Sequence, residues 1–233
     1  MTHTQHSLEA DLLRLGVTTG SVLFVHASYK SLGEVDGGAA TIIAALETVL
    51  GQDGTLLMPN FNMASRNRTE RAATWDLGAT RSSVGYLTEF FRNIPGTVRS
   101  DHYSHSVAAR GEQAAWLTGG HHLQEGWVSP WDRAPWGLTY GTHSPMLRVD
   151  YECLTYSHVA EVSDYNRRLE SNPDAPYCFV NRHLVGEWWE ECGDIRLDLV
   201  GDASCQLFDA NKFVDALTAE LIERPADFFP TPP

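Results

Sequence analysis

Two compact apolar runs with an amphipathic helix between them constrain the fold of this chain more than any other feature. In "GSVLFVHASYKSLG" the run Val22 to Val25 stops abruptly in polar residues, the pattern of a buried strand. "AATIIAALETVLG" follows the Gly37-Gly38 pair with helical spacing, and "DGTLLMPNF" is a turn leading into a second buried strand. "SLEADLLRLGV" precedes them as a helix, with Ser7 placed to cap it. Helix–strand–loop–helix–strand over the first 60 residues predicts an α/β fold whose functional residues stand at the carboxyl ends of the strands.

The later segments extend that pattern. The stretch from Phe61 to Thr80 reads as a long polar loop, and "SSVGYLTEFFRNIPG" as a helix with a Pro-Gly stop. "SVAARG" reads as a short strand and "EQAAWLTGGHH" as a helix broken at Gly-Gly. Residues 126–147 hold three Trp, three Pro and three Gly, a loop composition with aromatic anchors that suits a ligand-facing wall. The stretch 154–170 reads as helical, "YCFVN" and "IRLDLV" as strands, and "CQLFDANKFVDALTAELIE" as a strand running into a last helix with Phe213, Leu217 and Leu221 on one face. With no repeat or linker, residues 1–233 are expected to form one domain, with soft ends near 8 and 220.

Charge excludes some partners. Thirty Asp and Glu against 17 Lys and Arg give a formal net charge of −13, which opposes a nucleic-acid backbone or an anionic membrane surface. The same balance suits a cationic small molecule, although plain solubility is the simpler explanation of charge alone. The first 17 residues lack the basic segment and apolar core of a secretory signal, and the four cysteines form no C-x-x-C pair. A cytoplasmic protein is therefore expected.

Three constellations carry candidate chemistry. "HASYKSLG", residues 26–33, follows the first strand with small hydroxyl residues and a glycine that let backbone amides approach a ligand, and Lys30 could answer a negative group. "RSDHYSHSVAARG" places His102 and His105 three apart, with His121 and His122 downstream. Four histidines invite a zinc reading, but no acidic or Cys ligand stands at typical spacing, so no metal is expected. In "LTYSHVAEVSDY", Thr155, His158 and Glu161 stand three apart on one helical face. At a helix start the dipole disfavours imidazolium while a neighbouring carboxylate favours it, a balance that suits a general base. The spacing alone also fits an ordinary surface His–Glu contact. No G-x-S-x-G elbow, phosphate loop or dinucleotide fingerprint occurs, which points to base-assisted chemistry on an activated group supplied by a cofactor.

Taken in order, "VLFVHASYKSLGEVDGGAATIIAALETVLGQDGTLLMPNF", "TRSSVGYLTEFFRNIPGTVRSDHYSHSVAARG", "SPWDR", "TYSHVAE" and "GDASCQLFDANKFVDAL" resemble the aminoglycoside 3-N-acetyltransferase family of antibiotic N-acetyltransferases. The resemblance implies a mixed central sheet flanked by helices and an acetyl-CoA-dependent transfer to an aminoglycoside amine, with antibiotic resistance as the outcome. By position it implies His158 as general base and Glu161 as its orienting partner; the developing oxyanion needs donors, for which the Thr155 hydroxyl or a nearby backbone N–H is the candidate. It implies acetyl-CoA contacts at His26, Ala27, Ser28, Leu32 and Gly33, with Lys30 and Ser31 of the same loop as further cofactor-binding candidates, and contacts along the pantetheine arm at His102, His105, Ser106 and Val107. Tyr103 stands where the family pattern has proline. Asp76, Glu125, Glu190 and Glu191 are candidates to cradle a cationic aminosugar or other small amine. Family relatives acting on a different amine, an acyl-CoA thioesterase and a binding-only protein are the rival readings.

Overall fold

The structure, a computed structural model, describes residues 2–65, 68–103, 105–119, 121, 136–140, 182–193 and 195–224. Its compact parts are two: Met1–His143 with Arg196–Asp209, and Ser144–Ile195 with Ala210–Pro233.

The first unit carries a mixed sheet. In chain order its strands are β1 (Val22–Ala27), β2 (Thr55–Pro59), β3 (Val98–Arg99), β4 (Val107–Gly111), β5 (Trp136–Tyr140), β6 (Ile195–Val200) and β7 (Ala203–Asp209). Across the sheet the order is β3-β4-β2-β1-β5-β7-β6. β1 runs parallel to both β2 and β5, while β4 is antiparallel to β2 and β7 antiparallel to β5. Every residue of β2 is buried, as its uninterrupted apolar run requires of a strand covered on both faces.

α1 (Gln5–Leu15) and α2 (Ala39–Leu50) bury their apolar faces in the same core as the β1 and β2 side chains Leu23, Val25, Leu56 and Met58. α1 is capped by Thr4, one turn before the expected Ser7. The Thr4 hydroxyl accepts from the Ser7 N–H, and the Thr4 N–H donates to Ser7 Oγ, so Ser7 is the far half of a capping box. α3 (Arg68–Ala73) lies within the stretch read as loop, and α4 (Tyr86–Arg92) drives Leu87 and Phe91 into the core. α5 (Ala114–Thr118) ends at Gly119.

The one reassigned strand is β5. Residues 136–140 fall in the segment read as a ligand-facing loop, yet they form an inner strand between β1 and β7. The window's Pro, Gly and Trp content swamped a five-residue run.

The second unit contains α6 (Arg182–Glu191) and α7 (Ala210–Glu223). Trp189 meets Phe213 edge to face at 5.0 Å, and both are fully buried, so the expected Phe213 and Leu217 face of α7 is a packing face. The segment 154–170 and the "YCFVN" strand lie outside the described residues. Among the described residues no helix is long and apolar enough to cross a membrane.

Where β4 ends against β2, the backbones meet closely. Gly111 has φ +120°, and a Cβ there would stand 2.2 Å from the Gly54 carbonyl oxygen. Gly20 has φ +80° with nothing within 4 Å. Gly20→Ala is therefore expected to cost about 1 kcal/mol from left-handed strain alone. Gly111→Ala carries strain plus a backbone clash and should cost about 2–4 kcal/mol. Urea unfolding at unchanged slope measures both; equal losses would show that the β2–β4 edge gives way freely.

Candidate active site

Parallel pairing of β1 and β2 makes both strands end on one edge of the sheet, and antiparallel β4 begins there, with Val107 opposite Pro59. The 26–33 loop and the 102–107 segment thus open on the same edge, separated by the end of β2.

His26 and Ala27 close β1, and Ser28 leads into a single 3₁₀ turn, Tyr29–Leu32. Lys30 is exposed, Ser31 is half-buried and its N–H donates to Ser28 O, and Leu32 is buried. Gly33 follows with φ +81°, where a Cβ would stand 2.1 Å from the Asp202 carboxylate, so only glycine fits. Asp202, in the β6–β7 turn, braces the loop from behind. Its N–H donates to Leu32 O at 3.1 Å, and its Oδ1 lies 3.0 Å from His3 Nε2. His26 is half-buried as a residue, but its Nε2 is fully covered. Burial pushes its pKa down to about 3, so the imidazole is neutral throughout the physiological range.

A second wall is knotted around Arg99, which the sequence did not single out. Its Nε donates to Ser106 Oγ (3.1 Å), its Nη1 to the carbonyls of Leu77 (3.0 Å) and Thr80 (2.5 Å), and its Nη2 to Asn60 O (3.0 Å). The guanidinium also lies 4.5 Å from the Trp75 ring centre, and Trp75 Nε1 donates to Asp101. Ser106 Oγ donates to Asn60 O at 2.6 Å, so its proton is committed within the knot. Burial, then the charge of Arg92, lowers the Arg99 pKa to about 10, which leaves it protonated.

The histidines stack rather than converge. His102 is buried and its Nδ1 accepts the His105 N–H at 2.8 Å, which leaves Nε2 as the protonated nitrogen of a neutral ring. The His121 ring stacks on it at 4.5 Å, and His121 Nδ1 pairs with Ser100 Oγ at 2.8 Å. His105 meets Phe61 edge to face at 4.9 Å. Among the described residues no group of three His, Cys, Asp or Glu side chains could hold a metal ion.

Of the acidic candidates, one is described in the first unit and two in the second. Asp76 is exposed, and its Oδ1 accepts from the N–H groups of Gly78 and Ala79, folding its own turn. Glu190 and Glu191 are exposed at the end of α6 in the other unit. Thr155, His158, Glu161 and Glu125 lie outside the described residues.

A sequence model of the aminoglycoside 3-N-acetyltransferase family matches residues 24–222, from β1 into α7. The chain belongs to the aminoglycoside 3-N-acetyltransferase family. Aminoglycoside N(3)-acetyltransferase III of Serratia marcescens is 32% identical over 94% of this chain and 80% of its own. The fold matches the apoenzyme crystal structure of aminoglycoside acetyltransferase AAC(3)-IVa, at TM-score 0.81 and 22% identity over 100% of this chain and 93% of that one. It also matches AAC-IIIb in a binary complex with CoASH, at TM-score 0.73 and 25% identity over 100% of both chains. The expected mixed α/β architecture is thus the architecture of the family.

The buried imidazole of His26 makes a pH prediction for this family member. Its folded pKa lies below the unfolded value, so the unfolded state takes up a proton first and stability falls as pH drops below 6.5. Glu89 acts in the same direction only later: burial alone would raise its pKa, but bonds from Arg92, the Ser82 N–H and Asn93 outweigh it and hold the carboxyl at about 2. Between pH 6.5 and 5, His26→Gln should flatten the loss of unfolding free energy by about 1.4 kcal/mol per pH unit. Denaturant titrations at several pH values would read this; parallel profiles for parent and variant would mean that His26 titrates normally.

Proposed function

We propose that this chain transfers the acetyl group of acetyl-CoA to the 3-amino group of an aminoglycoside, and so confers antibiotic resistance. The observation that carries this reading is the family match over residues 24–222, which contains T-x-x-H-x-x-E at Thr155, His158 and Glu161 in the family's order. The matched span takes in residues of both compact units, which supports one acetyltransferase domain over the whole chain.

In this mechanism Glu161 holds the His158 ring in one tautomer, and His158 takes a proton from the acceptor amine as its nitrogen bonds to the acetyl carbon. The carbon–sulfur bond breaks, and the pair of electrons leaves with the coenzyme A thiolate. Thiolate is a good enough leaving group that no covalent enzyme intermediate is needed. Thr155 or a backbone N–H stabilises the developing oxyanion.

The sheet edge fits a long cofactor with a neutral arm and an anionic end. It holds neutral imidazoles at His26 and His102, an exposed Lys30 and the charged Arg99. The 26–33 and 102–107 segments are the proposed cofactor walls. Asp76, Glu125, Glu190 and Glu191 are proposed to meet the cationic aminosugar, with the chain's charge of −13 in support. A cytoplasmic site of action is proposed with this reaction.

The test is thiol release from acetyl-CoA with and without a panel of aminoglycosides and simpler amines. Aminoglycoside-dependent release is expected. Release without any amine would establish a hydrolase, and release only with a non-aminosugar amine would overturn the resistance reading. His158→Ala should lower turnover by about 10²–10⁴-fold. A loss of only a few-fold would exclude His158 as the base.

A further inference from the structure

Two distant segments reach the 26–33 loop from behind: the turn between β6 and β7, and the residues ahead of α1. Among the described residues, every backbone hydrogen bond that enters residues 32–36 from outside the loop comes from one of these two. The Asp202 N–H donates to Leu32 O at 3.1 Å. The His3 N–H donates to Glu34 O at 2.7 Å, and His3 O accepts the Asp36 N–H at 2.9 Å, a parallel bridge on either side of Val35. The two supports are also joined to each other, because His3 Nε2 lies 3.0 Å from Asp202 Oδ1. A carboxylate only accepts, so Nε2 carries the proton and donates.

The other oxygen of that carboxylate faces the loop. A Cβ on Gly33 would stand 2.1 Å from Asp202 Oδ2, and one on Gly201 would stand 2.6 Å from Leu32 O and 3.3 Å from the His3 ring. Both glycines hold positive φ, +81° and +58°, and leave that space for the carboxylate, the carbonyl and the imidazole to meet. Gly201 is fixed in turn by Asp11 of α1, whose Oδ2 accepts its N–H at 2.9 Å. The Asp202 side chain is 61% exposed, so its pairing with His3 contributes little to overall stability. Its effect is local. Among the described residues only His3 bonds the carboxylate behind Gly33, and that bond sets where the Tyr29–Leu32 turn ends. His3 stands outside the residues 24–222 that match the family.

We infer that His3 and Asp202 are positioning residues that set the affinity of the 26–33 loop for acetyl-CoA. The inference rests on the acetyl-CoA reading above. With the pair broken, the loop samples positions that do not bind, and the apparent affinity falls by the fraction of chains left in the competent one.

The experiment titrates the full chain with coenzyme A by calorimetry, for the parent, His3→Ala, Asp202→Ala, Asp202→Asn and the double alanine variant. Arg110→Ala, which breaks the Arg110–Glu47 pair on the opposite edge of the sheet, is the structural control. Each single alanine variant should weaken coenzyme A about 3- to 10-fold, the equilibrium factor of one hydrogen bond. The double variant should lose no more than the weaker-binding single, since both remove one contact. Asparagine keeps an acceptor for the His3 N–H, so Asp202→Asn should stay within about twofold of the parent. Arg110→Ala should bind coenzyme A as the parent does, whatever it loses in urea stability. Unchanged affinity in both single variants, losses that add in the double, or an equal loss in Arg110→Ala would overturn the inference. Amide exchange in the parent needs no variant to fold: coenzyme A should slow the Gly33 and Asp202 amides together, by about threefold or more. Slowing at Gly33 with none at Asp202 would also overturn it. A parent that does not bind coenzyme A would overturn the cofactor reading, and the inference with it.

Discussion

Everything at the candidate site depends on the parallel pairing of β1 with β2. Their register, with Val22 opposite Thr55 and Phe24 opposite Leu57, sends both strand ends to one edge of the sheet. Because both strands are buried, a slip of one residue would drive the wrong side chains into the core on both faces. The polar sequences that terminate the two runs, His26 to Ser28 and Asn60 to Asn62, therefore emerge side by side. Antiparallel β4 then needs only to begin at that edge for Ser106 to meet Asn60. A site is assembled from segments distant in sequence by one hydrophobic constraint.

Polar bonds then hold the edge in shape, and they come from behind it. The Gly201–Asp202 turn braces the 26–33 loop through Leu32 O, while Asp11 accepts the Gly201 N–H and fastens that turn to α1. On the other side Arg92 pairs with Glu89 and donates to Gly78 O, and Arg99 takes Leu77 O and Thr80 O. The polar loop after β2 is thus fastened at several carbonyls by cations rooted in α4 and β3. Its order comes from charge-assisted bonds to backbone, which is how a segment poor in apolar residues is kept folded.

This division explains what was legible in the sequence. The buried runs of β1 and β2, the helical spacing of α1 and α2, and the strand "SVAARG" were readable because periodicity and burial are local signals. The cap of α1 was misplaced by three residues because Thr4 and Ser7 are both good capping residues and act reciprocally. β5 was hidden by the Trp, Pro and Gly around it, and only its pairing with β1 and β7 defines it. The Arg99 knot joins residues 60, 75, 77, 80, 99 and 106, and no spacing rule connects those positions. For the proposed base and its partner, His158 and Glu161, spacing alone was ambiguous, and the order of motifs along the chain decided the reading.

Protonation along the edge follows from the same geometry. His102 Nδ1 is occupied by a backbone N–H, and Ser100 Oγ, which accepts the Val107 N–H, also pairs with His121 Nδ1. The His102 ring is then neutral with Nε2 protonated, and the His121 ring stacks on it at 4.5 Å. His26 is neutral by burial. The His26 and His102 imidazoles at the strand ends are therefore uncharged, whereas positive charge on this edge sits on Arg99 beside Asn60 and on the exposed Lys30. Ser106, its proton given to Asn60 O, acts within the wall as a spacer between Arg99 and the backbone. Uncharged and cationic groups side by side on one edge are what the proposed placement of a cofactor with an uncharged arm and an anionic end draws on.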